Sequence, residues 1–145
     1  MAGIDSMNTI DGHYGAIFHE GGWLANFNKA EGNIEVQKEE LKLSGDRWTR
    51  HKVVGLKGTG SISGYKVTSE LIQFNLPVTN SRNKSIRTEL IYKLDDPEAI
   101  GMERVRLMNV MFDAIPMANW EAGKVVPEEW KFTFEGVELL DPIEE

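Results

Sequence analysis

Residues 45–66 read GDRWTRHKVVGLKGTGSISGYK, and they join a compact basic segment to a strand almost without side chains. Lys42, Arg47, Arg50, Lys52 and Lys57 are opposed only by Asp46. Residues 42–57 therefore carry a net +4 in a chain whose formal charge is −7. Immediately afterwards Gly58, Gly60 and Gly64 alternate with Thr59, Ser61 and Ser63. A strand of this kind buries little and admits another backbone at close range. Positive charge set apart from an acidic remainder, beside a surface suited to backbone approach, points to a chain that docks on copies of itself.

Outward from this stretch the composition sets bounds. A chain of 145 residues with 41% hydrophobic content is expected to form one domain, residues 1–145, with a small core. No run approaches the roughly 18 apolar residues of a membrane helix, so no membrane partner is expected. The opening MAGIDSMNTIDGHYG lacks the basic start and apolar centre of a signal peptide. Cysteine is absent, which removes disulfides, thiolate metal sites and cysteine nucleophiles together. The acidic balance argues against tight wrapping of nucleic acid, which needs Lys and Arg to displace counterions. It suits a wall past which a polyanion slides. Residues 121–145 sharpen the point, with eight acidic and two basic side chains.

Most segments read as strands. Trp130, Phe132 and Phe134 alternate with Glu129, Lys131, Thr133 and Glu135, giving one aromatic and one charged face. Residues 86–94 alternate similarly and stop at Asp95-Asp96-Pro97. In residues 103–113 the apolar phase slips at Met108-Asn109, which predicts a bulge. Residues 14–19 predict a strand, residues 20–22 a turn, and residues 23–38 a long strand. Along its second half Lys29, Glu31, Asn33, Glu35 and Gln37 form a wetted face, while Ala30, Gly32, Ile34 and Val36 are small or apolar. Its length predicts projection beyond the core. One helix is expected, capped by Thr68 or Ser69, spaced by Val67, Leu71 and Phe74, and ended by Pro77. The predicted fold class is mainly β (α+β): six to eight strands in a twisted sandwich or partial barrel, with one short external helix.

Catalytic and cofactor chemistry finds little footing. Gly58–Gly64 lacks the Lys-Ser or Lys-Thr of a phosphate loop, and its last glycine falls one residue late for a dinucleotide fingerprint. His13 and His19, six apart and near Glu20, have no convergent third metal ligand. The pairs Glu39-Glu40, Asp95-Asp96 and Glu128-Glu129 point to opposite faces of extended chain and converge on nothing. No nucleophile elbow is present. The expectation is a protein that is not an enzyme, with no cofactor and no metal.

Three motifs carry a resemblance: NTIDGHYGAIFHEGG at residues 8–22, GDRWTRHKVVGLKGTGSISGYKVTS at 45–69, and GMERVRLMNVMFDAIPM followed by VPEEWKFTFEGVELLD at 101–117 and 126–141. In order and spacing, along nearly the whole chain, the sequence resembles the tail tube proteins of contractile phage tails and tailocins, of the PBSX prophage type. That resemblance implies a structural subunit of the virion tail, assembled in the bacterial cytoplasm. It implies hexameric rings stacked head to tail into a tube, with strands joining an inter-subunit barrel around a hydrophilic lumen. The implied partners are further copies of the chain, the sheath protein, the baseplate and the tape-measure protein. DNA would pass through the lumen without specific binding in particles that carry it. The resemblance also makes residues 43–54 a contact element between subunits and rings.

These readings combine into an expected site. Leu43, Arg47, Trp48, Arg50, His51, Lys52, Gly58, Gly60 and Gly64 are the expected oligomer contacts. Lys29, Glu31, Asn33, Glu35 and Gln37 are expected to face the lumen and make it net negative. The rival reading is a single-chain β-barrel that carries a small ligand. The polar face of residues 29–37 and its nearly bare reverse count against it.

Overall fold

Trp130, Phe132 and Phe134 point inward from one strand, and the fold is built over them. The computed structural model describes residues 6–80, 82 and 84–143. Eight antiparallel strands form one sheet: β1 (Gly15–His19), β2 (Gly22–Trp23), β3 (Phe27–Leu41), β4 (Arg50–Tyr65), β5 (Thr88–Leu94), β6 (Glu103–Phe112), β7 (Pro127–Phe134) and β8 (Gly136–Asp141). The strand order is β2-β1-β5-β6-β7-β4-β3, with β8 also paired to β6. The sheet turns back on itself, because Tyr92 Oη on β5 donates to the Glu31 carbonyl on β3 at 2.8 Å. It does not close: β2 and β3 remain edges. The mainly β expectation therefore holds as one open, curled sheet rather than two stacked ones.

Alternation explains the core. Trp130 and Phe132 are essentially inaccessible, and Phe134 is buried beside them. Phe112 meets Trp130 edge-on, with ring centroids 4.9 Å apart. Such aromatic pairs add about 0.5–1.5 kcal/mol to their area burial. Ile62 and Leu90 complete the centre from β4 and β5. The predicted bulge is present. Thr88 pairs with Val110 and Leu90 with Leu107, so Met108 and Asn109 together oppose Glu89. Asn109 adopts φ 53°, in the left-handed region that Asn tolerates. The bulge brings both Leu107 and Val110 into the core.

Three expectations are corrected. Helix α1 (Glu70–Asn75) buries Leu71, Ile72 and Asn75, whereas Val67 lies outside it and is exposed. Ser69 occupies the N-cap without a side-chain hydrogen bond, and Pro77 falls in a following 3-10 turn, Leu76–Thr79. The long strand begins at Phe27, not Trp23, because Leu24 N–H donates back to the Ile17 carbonyl at 2.8 Å and the chain turns there. The basic segment is half strand: residues 42–49 connect β3 to β4, and Arg50 already pairs with Leu41.

His19, at the end of β1, packs edge-on against Phe74 of α1 at 4.7 Å. Burial holds its pKa below the usual histidine value, against the opposing charges of Glu20 and Glu70. The unfolded chain then takes up a proton at a pH where the folded chain does not. Stability is expected to fall as pH drops below about 6.5. Thermal melts from pH 7.5 to 5.5 should show this slope, flattened in His19→Leu. An unchanged slope would remove His19 as its source.

Candidate assembly surface

The β3–β4 ribbon is longer than the sheet that supports it. β4 pairs with β7 only from Gly58 to Tyr65. Beyond that point Glu35–Leu41 and Arg50–Lys57 pair only with each other, as an overhanging two-stranded ribbon. Its faces differ in chemistry.

The outer face carries Lys29, Glu31, Asn33, Glu35 and Gln37, all exposed. The alternation begins one residue after a bulge at Asn28, which turns odd-numbered Phe27 into the core. Cross-strand partners extend this face: Ser63, Ser61, Thr59 and Lys57 on β4, then Glu129, Lys131 and Thr133 on β7. The result is a hydrophilic surface three strands wide, with one exposed aromatic, Tyr65, at its end. Lys29 lies 3.6 Å from Glu31, and Lys57 stands opposite Glu35. The expectation of a net negative face needs correction. The five β3 residues alone are net −1, but Lys57 and Lys131 against Glu129 bring the wider face to balance.

On the inner face the ribbon's root packs on the core, while its outer part pairs with no other strand among the described residues. Gly32 lies against the Tyr92 ring; a Cβ there would sit 3.4 Å from it. A cleft of about 630 Å³ opens beside it, bordered by Ile17, Ala30, Ile34, Leu94 and Val105. Further out Ile34, Val36, Val53 and Leu56 are exposed, Leu56 by 69%. The pairing Val36↔Leu56 and the bulge at Val54 place them on the continuation of the core face. At the tip Trp48 is 77% exposed and Leu43 more than half exposed. Asp46 shapes this turn. It accepts from Trp48 N–H at 2.9 Å and from Arg50 Nε at 2.9 Å, beside Gly45 at φ 80°.

The expected contact residues divide in two. Leu43, Arg47, Trp48, Arg50, His51 and Lys52 gather at the exposed tip, with Lys52 opposite Glu39 and His51 opposite Glu40. Gly58, Gly60 and Gly64 lie elsewhere, closely packed within their own chain. A Cβ on Gly58 would come 2.5 Å from the Phe134 ring, and one on Gly60 would come 2.7 Å from the Phe132 ring. One on Gly64 would strike the Asn26 carbonyl. The backbone approach anticipated from these glycines therefore has an intramolecular cause.

Sequence reasoning missed how the C-terminal acids are used. Glu135 pairs with Arg87 at 2.8 Å, Glu138 with Arg106 at 3.4 Å, and Asp141 with Arg104. Arg104 and Arg106 alternate along β6 facing β8, the signal that could have revealed it. His13 precedes β1 in a short turn and does not share a strand with His19. Among the described residues no cluster of three His, Asp or Glu side chains could hold a metal.

Comparison with known proteins agrees with the resemblance. The family described as phage tail tube protein matches residues 2–141. The phage-like element PBSX protein XkdM of Bacillus subtilis is 31% identical over 141 residues, covering 97% of this chain and 96% of the relative. A chain of an extracellular contractile injection system, the PVC sheath–tube complex in its extended state, shares the fold. Its TM-score is 0.72 at 9% identity, over 90% of each chain. The anti-feeding prophage cap, which terminates that particle's tube, gives 0.74 at 9% identity over 98% of this chain and 100% of the other. This chain belongs to the phage tail tube protein family.

Proposed function

We propose that this tail tube protein forms hexameric rings, stacked head to tail into the inner tube of a contractile phage tail or tailocin. The observation that carries this reading is the overhanging ribbon, apolar on one face and hydrophilic on the other. An exposed apolar ribbon needs a partner surface. A hydrophilic face three strands wide suits the wall of a water-filled channel. The open edge strand β3 suits pairing into a barrel closed across subunits, which would protect an edge otherwise prone to aggregation. The sheath protein, baseplate and tape-measure protein are the proposed partners, in a virion tail assembled in the bacterial cytoplasm. The role is structural rather than enzymatic. Size-exclusion chromatography over a concentration series tests it against a ligand carrier: rings or filaments should appear with concentration, whereas a carrier would elute as a monomer throughout.

The channel face also makes a prediction. Between Lys29 and Gln37 it carries neither aromatics nor arginine, and Tyr65 stands at its end, so it offers passing DNA little stacking surface and no bidentate phosphate grip. Glu31→Arg with Glu35→Arg should leave tube yield unchanged, since both side chains are exposed. In a DNA-carrying particle it should slow delivery. Unimpaired delivery by fully assembled particles would show that this face does not meet the DNA.

A further inference from the structure

The groove between residues 113–119 and the start of β7 holds an unsatisfied acceptor. Glu128 is only 5% exposed. Its Oε1 accepts from Trp130 Nε1 at 2.8 Å, while its buried Oε2 has no hydrogen-bond partner among the described residues. A buried polar atom left unpaired is costly, and native folds almost always pair it. The groove measures about 330 Å³ and presents Ile115, Pro116 and Val126 beside Asp113 and Glu129. Exposed Met117, Trp120 and Val125 lie close along the chain. Lys66 and Lys131 also line it, yet neither pairs with a described carboxylate. The groove thus combines an apolar wall of Ile115, Pro116 and Val126 with a mixed charged rim, and holds one carboxylate oxygen without a donor among the described residues.

The ribbon tip has the complementary chemistry. Trp48, Leu43, Val53 and Val54 are exposed, and of the tip's cations only Arg50 is engaged by Asp46. Tip and groove cannot meet within one chain. Arg50 marks the tip, and Gly64, fourteen residues along β4, pairs with Glu128. At about 3.3 Å per residue the two lie on the order of 45 Å apart.

We infer that the β3–β4 tip of one copy docks in this groove of a second copy, Arg47 supplying the donor for Glu128 and Trp48 covering the apolar wall. This rests on the tube reading and names the receiving surface within it. Each copy carries one tip and one groove at opposite ends, so the contact is heterologous and propagates.

The chain has no native cysteine, which makes cross-linking clean. Thr49→Cys and Asn119→Cys subunits, mixed and oxidised after assembly, should give a disulfide dimer far above the yield from Thr49→Cys mixed with Thr79→Cys. Equal yields in intact tubes would overturn the docking. Glu128→Gln, which still accepts from Trp130, should raise the critical concentration for assembly at least tenfold without lowering the melting temperature; an unchanged critical concentration would also overturn it. Wild-type protein that never assembles would instead overturn the tube reading, and the docking with it.

Discussion

Gly58→Val with Gly60→Val is expected to abolish folding, although valine suits a strand better than glycine does. The cause is steric. At Gly58 the added Cβ would lie 2.5 Å from the Phe134 ring and 2.7 Å from its carbonyl oxygen. At Gly60 it would lie 2.6 Å from the Glu31 carbonyl oxygen and 2.7 Å from the Phe132 ring. Backbone on two neighbouring strands cannot yield as a flexible side chain can. Overpacking costs about 1–3 kcal/mol per site even where the surroundings relax. Two such sites consume much of the roughly 5–15 kcal/mol that holds a domain together. Thermal unfolding of soluble protein provides the readout, with Thr59→Val, on the opposite face of the same strand, as the tolerated control. A double variant that melts cooperatively near the wild-type temperature would show that the β4–β7 packing described here is wrong.

Trp48→Ala is expected to do the reverse, sparing the fold and removing the tube. The side chain is 77% exposed and makes no aromatic pair in its own chain among the described residues, so truncation leaves no cavity behind. Interface energy concentrates in Trp and Arg, at roughly 2 kcal/mol or more per truncated anchor. That corresponds to about a 30-fold loss per contact. In a polymer the same loss recurs at every subunit, so tubes should vanish at concentrations where the wild type assembles. Unchanged melting with tube length and yield also unchanged would remove the tip as the docking element.

The strands that pack on both the core and a solvated face were the legible ones. β7 shows its register directly, because Trp130, Phe132 and Phe134 can lie only on one side. The bulge at Met108-Asn109 was legible because the apolar phase must slip to keep both Leu107 and Val110 inside. The length of β3 announced a projection, but the β4 half of the overhang was not legible, since Arg50–Val54 are exposed on both faces and no alternation of burial marks them as strand. A different signal was available: basic Lys52 mirrors acidic Glu39 across the turn, and His51 mirrors Glu40. The glycines were noticed for their capacity to admit a close neighbour, but the neighbour proved internal. Gly58 and Gly60 match Phe134 and Phe132 pair for pair, a complementarity visible only once β4 and β7 are known to be adjacent. Glu128 was passed over for a similar reason. As one of two adjacent acids on opposite faces it was set aside as converging on nothing, and only the β7 register shows that it lies inward beside Trp130.

The claim on which the rest depends is that the β3 outer face lines a channel. Helical reconstruction by electron microscopy of the protein assembled at high concentration tests it most directly. The predicted result is a tube of stacked sixfold rings in which Lys29, Glu31, Asn33, Glu35 and Gln37 project into the lumen from every subunit. A tube in which these five side chains face outward, or are buried between subunits while another surface lines the channel, would contradict it.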